Sequence, residues 1–213
     1  MGPLEFVPLD DKDLESVQQT RCFSQPIPLQ QDCFSENDIS KVLDRILIKL
    51  NDERADDVPE IREMDKRGYL SAFTVKENDA VVAFYTLSAC HIEVPSQLVD
   101  SSKAGDIGNF FPGAKIHFLL VKYSEQSKGI GSAVIDHVKE CLRGINNQMA
   151  IRFLVVDALG TNQALKFYHK HKFRPLDEDY EEYLKKDNPV ECMEVDGIGC
   201  PESIHMLYDL WDE

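Results

Sequence analysis

The sequence predicts one α+β domain, and three observations carry that expectation. Two runs rich in β-branched and aromatic residues, Tyr69–Val75 and Ala80–Cys90, flank Asn78-Asp79, residues suited to the tight turn of a hairpin. Two further apolar strands, Lys115–Val121 and Ile151–Val156, are each followed by a helical pattern, Gly129–Leu142 and Thr161–His171. No internal repeat and no linker separates two cores over residues 1–213, whose usage (43% hydrophobic, 29% charged) is ordinary for a globular chain and excludes wholesale disorder.

In chain order, Glu5–Leu9 reads as a first short strand, with the acidic Asp10-Asp11 after it able to open a helix. Pro26 and Pro28 then break the chain. Helix signals resume at Ser35–Asp38, and Ile39, Val42, Leu43, Ile46, Leu47 and Leu50 recur at helical spacing, predicting an amphipathic helix over Asp38–Leu50. Its other face carries Lys41, Arg45 and Lys49. After the hairpin, Pro95–Gly113 reads as an irregular connection rich in Ser, Gly and Pro, long enough to suggest a functional loop. Ile130, Val134, Ile135 and Val138 share one helix face, and Thr161 is available to cap the last helix. The acidic excursion at about 177–202 packs nine carboxylates between Asp177 and Asp196 without the spacing of a calcium loop, and Ile204–Leu210 returns to strand composition.

Charge and cysteine usage narrow the function. Lys and Arg total 23 against 38 Asp and Glu, a formal charge of -15, and a field of that sign disfavours nucleic acid and anionic lipid unless cations cluster locally. The six cysteines, Cys22, Cys33, Cys90, Cys141, Cys192 and Cys200, form no C-x-x-C pair and read as free thiols. No apolar run reaches the ~18 residues of a membrane span. The N-terminus lacks a secretory pattern, and Phe6 stands where myristoylation needs Ser or Thr, so a cytoplasmic chain is expected. His169 and His171 fall on different helix faces, and no metal site is expected.

The chemistry concentrates between Ile116 and Val134, where a strand turns into a helix through Gln126-Ser127-Lys128-Gly129-Ile130-Gly131. Glycines let backbone approach a ligand, and the free N–H groups of a first helical turn attract anions. The segment is neither a P-loop nor a dinucleotide fingerprint. It resembles motif A of the GNAT superfamily of acyl-CoA-dependent N-acyltransferases, (Q/R)-x-x-G-x-(G/A) after an L-x-V strand. Gln126, Gly129 and Gly131 stand at the defining positions, and Leu119 and Val121 close the strand. Ile151–Val156 followed by Ala164, Phe167, Tyr168 and Phe173 is similar to motif B. The resemblance spans the chain from the Tyr69 hairpin to the last strand.

What it implies is a GNAT fold: a mixed, mostly antiparallel twisted sheet flanked by helices and splayed between its fourth and fifth strands, where acetyl-CoA enters as co-substrate. By the same resemblance the N–H groups of Gln126, Ser127, Lys128, Gly129, Ile130 and Gly131 hold the pyrophosphate. The main chain of Leu119 and Val121 pairs with the pantetheine arm as an added strand would. Tyr168 is the general acid that meets the departing thiolate. Two positions depart from the pattern: Thr161 stands where many members have Asn, and Lys172 replaces the usual Gly before Phe173.

The implied reaction is acetyl transfer to a primary amine, small or peptidic, and the acidic bulk suits a cationic acceptor such as a polyamine, an aminoglycoside or a basic peptide terminus. Glu93 and His117 are the candidates for a base. The run of strands around Ile92–Pro95 is also similar to toxin-antitoxin acetyltransferases that modify aminoacyl-tRNA. Two cationic sets speak for that acceptor, Lys41/Arg45/Lys49 and Lys166/Lys170/Lys172/Arg174. A non-catalytic acetyl-CoA sensor, a homodimer and an antitoxin partner all stay open at this level.

Overall fold

The computed structural model describes residues 2–9, 65, 67–95, 98, 109–145, 148–159, 162–177 and 203–211. The helix expected over Asp38–Leu50 with its basic stripe, Thr161, the acidic residues 178–196, four of the six cysteines and most of the expected loop over 95–113 lie outside the described residues. Seven strands form one mixed sheet: β1 (Leu4–Pro8), β2 (Ser71–Glu77), β3 (Ala80–Glu93), β4 (Phe110–Val121), β5 (Phe153–Leu159), β6 (Arg174–Pro175) and β7 (Ser203–Asp209). Their order is β1-β2-β3-β4-β5-β7-β6. Two α-helices accompany them among the described residues, α1 (Ile130–Ile145) and α2 (Asn162–Lys170). Neither is long and apolar enough to cross a membrane.

Chain contacts divide the protein into two compact units. The first holds, of the described residues, 2–9, 65, 67–88 and 117–135. There β2 and β3 form the expected hairpin, with Glu77 opposite Ala80. Asn78 and Asp79 both take positive φ (51° and 65°), which is the type I′ geometry whose twist matches that of the strands. β1 pairs antiparallel with β2, and the N–H of Gly2 donates to the Glu77 carboxylate. Leu70, Ala72, Phe84 and Leu120 make the core here, with Leu9, Val81 and Phe118 packed against them. Ile130, Val134 and Ile135, the first apolar positions of α1, are fully buried, each contributing about 1.5–3 kcal/mol by leaving water.

The second unit holds residues 89–95, 98, 109–116, 136–145, 148–159, 162–177 and 203–211. β4 and β5 run parallel from Gly113–Phe153 to Ile116–Val156, and β7 pairs antiparallel with β5 along seven residues. Val94, Phe111, Phe153, Val155 and Leu207 form the core on one sheet face. Arg152 clamps the end of this ladder: its N–H donates to Pro112, its carbonyl accepts from Leu210, and its guanidinium pairs with Asp209 at 2.8 Å.

One expectation is corrected. Phe110–Gly113, expected within an irregular connection, are the opening residues of β4. Pro112 and Gly113 read as breakers in sequence. Pro112 instead supplies only its carbonyl, to Arg152, and Gly113 lets the Phe153 carbonyl pass 3.0 Å from where a Cβ would stand. β6, a two-residue strand, has too little sequence to announce itself.

Candidate active site

In the first unit the strand-to-helix turn is built by its own hydrogen bonds. β4 delivers the chain through Lys122 into a 3-10 turn at Tyr123–Glu125, whose last N–H donates to the Lys122 carbonyl at 2.8 Å. Ser127 and Gly129 then take positive φ, 61° and 86°, on either side of Lys128. Left-handed residues alternating with right-handed ones turn successive N–H groups toward one side, the arrangement of a backbone anion nest. A Cβ built on Gly129 meets nothing within 4 Å, so the space above the turn is open. The turn therefore fits a diphosphate: convergent donors, a helix N-terminus behind them and room in front. The first hydrogen bond of α1, Ala133 N–H to the Gly129 carbonyl at 3.0 Å, starts directly beneath it.

Gln126 acts here through its side chain. Its side-chain Nε2 donates to the Val121 carbonyl at 3.2 Å, bracing the turn against the end of β4. Lys128 reaches back to Glu125 at 2.9 Å, and that hydrogen bond, against a smaller burial effect, holds the Glu125 carboxyl below its ordinary range. Beside the turn, Glu125 and Lys128 share a cleft of about 560 Å³ with Gly2, Glu77 and Asn78. Its two carboxylates make that cleft a poor anion site, in contrast to the turn itself.

Leu119 and Val121 lie past the end of the β4–β5 ladder, which stops at Ile116. Phe118 donates its N–H to Thr86 on β3, and Lys122 donates its N–H to the Val82 carbonyl there. By the two-residue period of a strand, Leu119 and Val121 direct theirs away from β3. That edge of β4 has donors to offer an extended ligand. His117 is exposed and shares a 2.7 Å hydrogen bond with Ser88, while Glu93 is exposed at the far end of β3.

In the second unit Tyr168 sits near the end of α2 in a closed capping arrangement. Lys172 takes φ 64°; its N–H donates to His169, and the Phe173 N–H donates to the Tyr168 carbonyl at 3.1 Å. These two bonds with a left-handed residue between helix and exit make a Schellman cap, and Tyr168 and Phe173 supply its apolar contact, rings 5.4 Å apart. The departure from the motif at Lys172 is thus absorbed: lysine adopts the conformation glycine would take. From α1, the ammonium of Lys139 donates to the His171 carbonyl at 2.7 Å and lies 3.6 Å over the Tyr208 ring. Lys139 is only 7% exposed. Burial pulls its pKa down to about 8, with Asp136 opposing and Arg143 and Lys172 assisting. Burial also pushes the Tyr168 phenol above its ordinary value, so it keeps its proton throughout the neutral range.

Sequence reasoning missed Lys139. The signal was present: Ile135, Val138 and Leu142 define a buried stripe, and residue 139 falls on it. It also missed the contact of Asp157 with His205 and Lys115. Strands far apart in sequence bring those together, and no local pattern reports it. Among the described residues no group of His, Cys, Asp and Glu is placed to hold a metal. Cys90 and Cys141 are free thiols.

The described strands form one mixed sheet with a short parallel β4–β5 ladder; the first unit carries the turn at the start of α1, and the second carries the half-buried phenol of Tyr168 near the end of α2. The chain belongs to the acetyltransferase (GNAT) family, whose profile matches residues 37–173, and it is an acetyl-CoA-dependent acetyltransferase. No functionally described protein matches it by sequence at a significant level. Among solved structures it is similar to a complex of AtaT with acetyl-methionyl-tRNAfMet (17% identity, 97% of this chain and 95% of that chain, TM-score 0.57). It is also similar to a tyrosine-to-phenylalanine mutant of the AtaT toxin bound to the C-terminus of the antitoxin AtaR and acetyl-CoA (18%, 98% and 94%, TM-score 0.53). A tyrosine-to-phenylalanine mutant of KacT is a third such structure (16%, 97% and 95%, TM-score 0.56). At these identities the likeness is one of fold.

Proposed function

We propose that the chain transfers acetyl from acetyl-CoA directly to a primary amine, with Tyr168 as general acid. The observation that carries this reading is the half-buried, fully protonated phenol of Tyr168 on a capped helix end. Acetyl-CoA supplies an activated thioester. The N–H groups of Gln126, Ser127, Lys128, Gly129, Ile130 and Gly131 hold its diphosphate, and the outward N–H groups of Leu119 and Val121 pair with its extended arm. Tyr168 gives its proton where thiolate charge develops, an interaction that strengthens along the reaction and so accelerates it. On this reading residues 1–213 form one cytoplasmic GNAT-like domain, and the charge of -15 favours cationic acceptors such as polyamines, aminoglycosides or peptide termini.

A second reading has its own support. The similarity to AtaT, solved with acetyl-methionyl-tRNAfMet and with its antitoxin, favours the amino group of an aminoacyl-tRNA as acceptor and an antitoxin as partner. Free-thiol release from acetyl-CoA, measured side by side with spermidine, kanamycin, triglycine and methionyl-tRNA, separates the two. Faster turnover on the small cations is expected. Robust acetylation of the charged tRNA, abolished by reversing Lys41, Arg45 and Lys49 to Glu, would establish the second reading instead.

A further inference from the structure

Three strands of the second unit bring together side chains that no motif accounts for. Lys115 on β4 places Nζ 2.5 Å from one oxygen of Asp157 on β5, and His205 on β7 places Nδ1 2.5 Å from the other. The register sets Asp157 directly opposite His205. It also makes Asp157 the first residue of β5 past the parallel ladder with β4, which ends at Ile116–Val156. Parallel strands that part at their C-terminal ends are where open sheets receive ligands. Strand alternation puts His205 on the face of Leu207 and Val155, opposite the face where Tyr208 meets Lys139 of α1.

The geometry of the dyad has a direction. An imidazole that donates its Nδ1–H to a carboxylate is fixed in one tautomer and presents a bare Nε2 lone pair. His205 is 63% exposed, and its Nε2 has no hydrogen-bond partner among the described residues. Burial works against the Asp157 charge, but the hydrogen bonds from Lys115 and His205 outweigh it and keep that carboxyl below its ordinary range. Cys90 on β3 also feels Lys115 and Asp157, and burial pushes its thiol up, so it stays neutral beside them. Just past β6, Leu176 donates its N–H to the His205 carbonyl at 2.9 Å, and within β6 Arg174 stands opposite Leu207.

We propose that His205 is the base that takes the proton from the acceptor's ammonium, with Asp157 orienting the ring and Lys115 fixing Asp157; this rests on the amine-acetylation reading above. The protons balance as follows. One passes from the ammonium to Nε2, freeing the lone pair that forms the N–C bond as the C–S bond breaks. The thiolate takes the proton of Tyr168, and the phenol is refilled by the second proton leaving the new amide nitrogen. His205 returns its proton to water, so one proton is released per turnover. Of the residues the sequence nominated for this role, Glu93 has no such orienting partner in any described contact, and His117 is tied to Ser88.

Two amines of different basicity make the test. An alkylamine such as spermidine has a pKa near that of lysine, about 10.4, whereas the α-amine of triglycine lies at about 8. His205→Gln should lower kcat/KM for spermidine at pH 7 by roughly 10²-fold. The loss should be smaller for triglycine and shrink for both as pH rises, and Asp157→Asn should show the same trend more weakly. Independently of turnover, the imidazole nitrogen NMR shifts of the wild type should report an Nδ1-protonated His205, a preference lost in Asp157→Asn. A merely structural pair would shift melting temperature without this dependence on amine basicity. Superimposable pH profiles for wild type and His205→Gln, or an Nε2-protonated His205, overturn the relay. A wild type that binds acetyl-CoA yet releases no thiol to any amine overturns the amine reading itself, and the relay with it.

Discussion

The start of α1 and the end of α2 both depend on residues in the left-handed region, yet they do opposite things. At the start of α1, Ser127 and Gly129 turn N–H groups outward over empty space, with Gln126 and Lys128 bracing the turn from outside. At the end of α2, Lys172 turns the chain so that the Tyr168 and His169 carbonyls are bonded, and Lys139 takes that of His171. An end left open has donors to give a ligand; an end closed on itself holds a side chain still. The same dihedral serves recognition in one place and positioning in the other, according to whether the freed groups find partners within the chain.

The largest expected effect comes from the closed end. Tyr168→Phe keeps the ring packed on Phe173 and removes only the hydroxyl, so acetyl-CoA affinity should hold while kcat falls about 10²–10⁴-fold. Measuring kcat and the acetyl-CoA dissociation constant for both proteins decides it, and a variant within roughly threefold of wild type, far short of the expected ~10²-fold, would reduce Tyr168 to packing. Next is the pH response of the same end. Because the folded state holds Lys139 at about 8 against 10.5 for a free lysine, the unfolded chain binds the extra proton between those values. Stability therefore rises with pH across roughly 8–10.5 through this group, by something on the order of 3 kcal/mol. Lys139→Met should remove that rise, seen as a melting-temperature difference between the two proteins that changes sign or size from pH 7 to 10.

The open end gives the third effect. Gly131→Val adds a side chain within the first turn of α1, where the backbone is helical and unstrained. The variant should melt near wild type without ligand but lose the stabilisation of ~2.7 kcal/mol expected at ~100 times the dissociation constant. Equal acetyl-CoA shifts in both proteins would remove the turn from the binding site. The smallest effect is Lys172→Gly. Relief of the left-handed lysine should stabilise the fold by up to about 1 kcal/mol without touching acetyl-CoA affinity. A destabilised variant would mean that the lysine side chain, rather than its backbone, closes the helix.

These two ends were unequally legible in the sequence. Gln126, Gly129 and Gly131 stand close together in the chain, so the resemblance to motif A could point to this turn from a few adjacent residues. The hairpin was equally plain, because Asn78 and Asp79 tolerate the dihedrals that its turn demands. The closed end was half visible: Tyr168 and Phe173 were readable as a pattern, but Lys172 looked like a defect until its φ was known. Phe110–Gly113 were hidden because a proline in a strand is judged by the donor it lacks, not by the acceptor it keeps. The Asp157–His205 contact joins residues 48 apart across neighbouring strands. Only knowledge that β7 inserts between β5 and β6 could have revealed it.

The ladder that stops at Ile116 gives β4 a divided temperament under hydrogen exchange. Its N–H groups toward β3 should be slow, whereas those of Leu119 and Val121, in the same inner strand, should exchange with solvent on the schedule of a frayed edge. Such a strand carries its own two-channel clock: neighbouring amides report separately on the integrity of the sheet and on whatever lies along its free side.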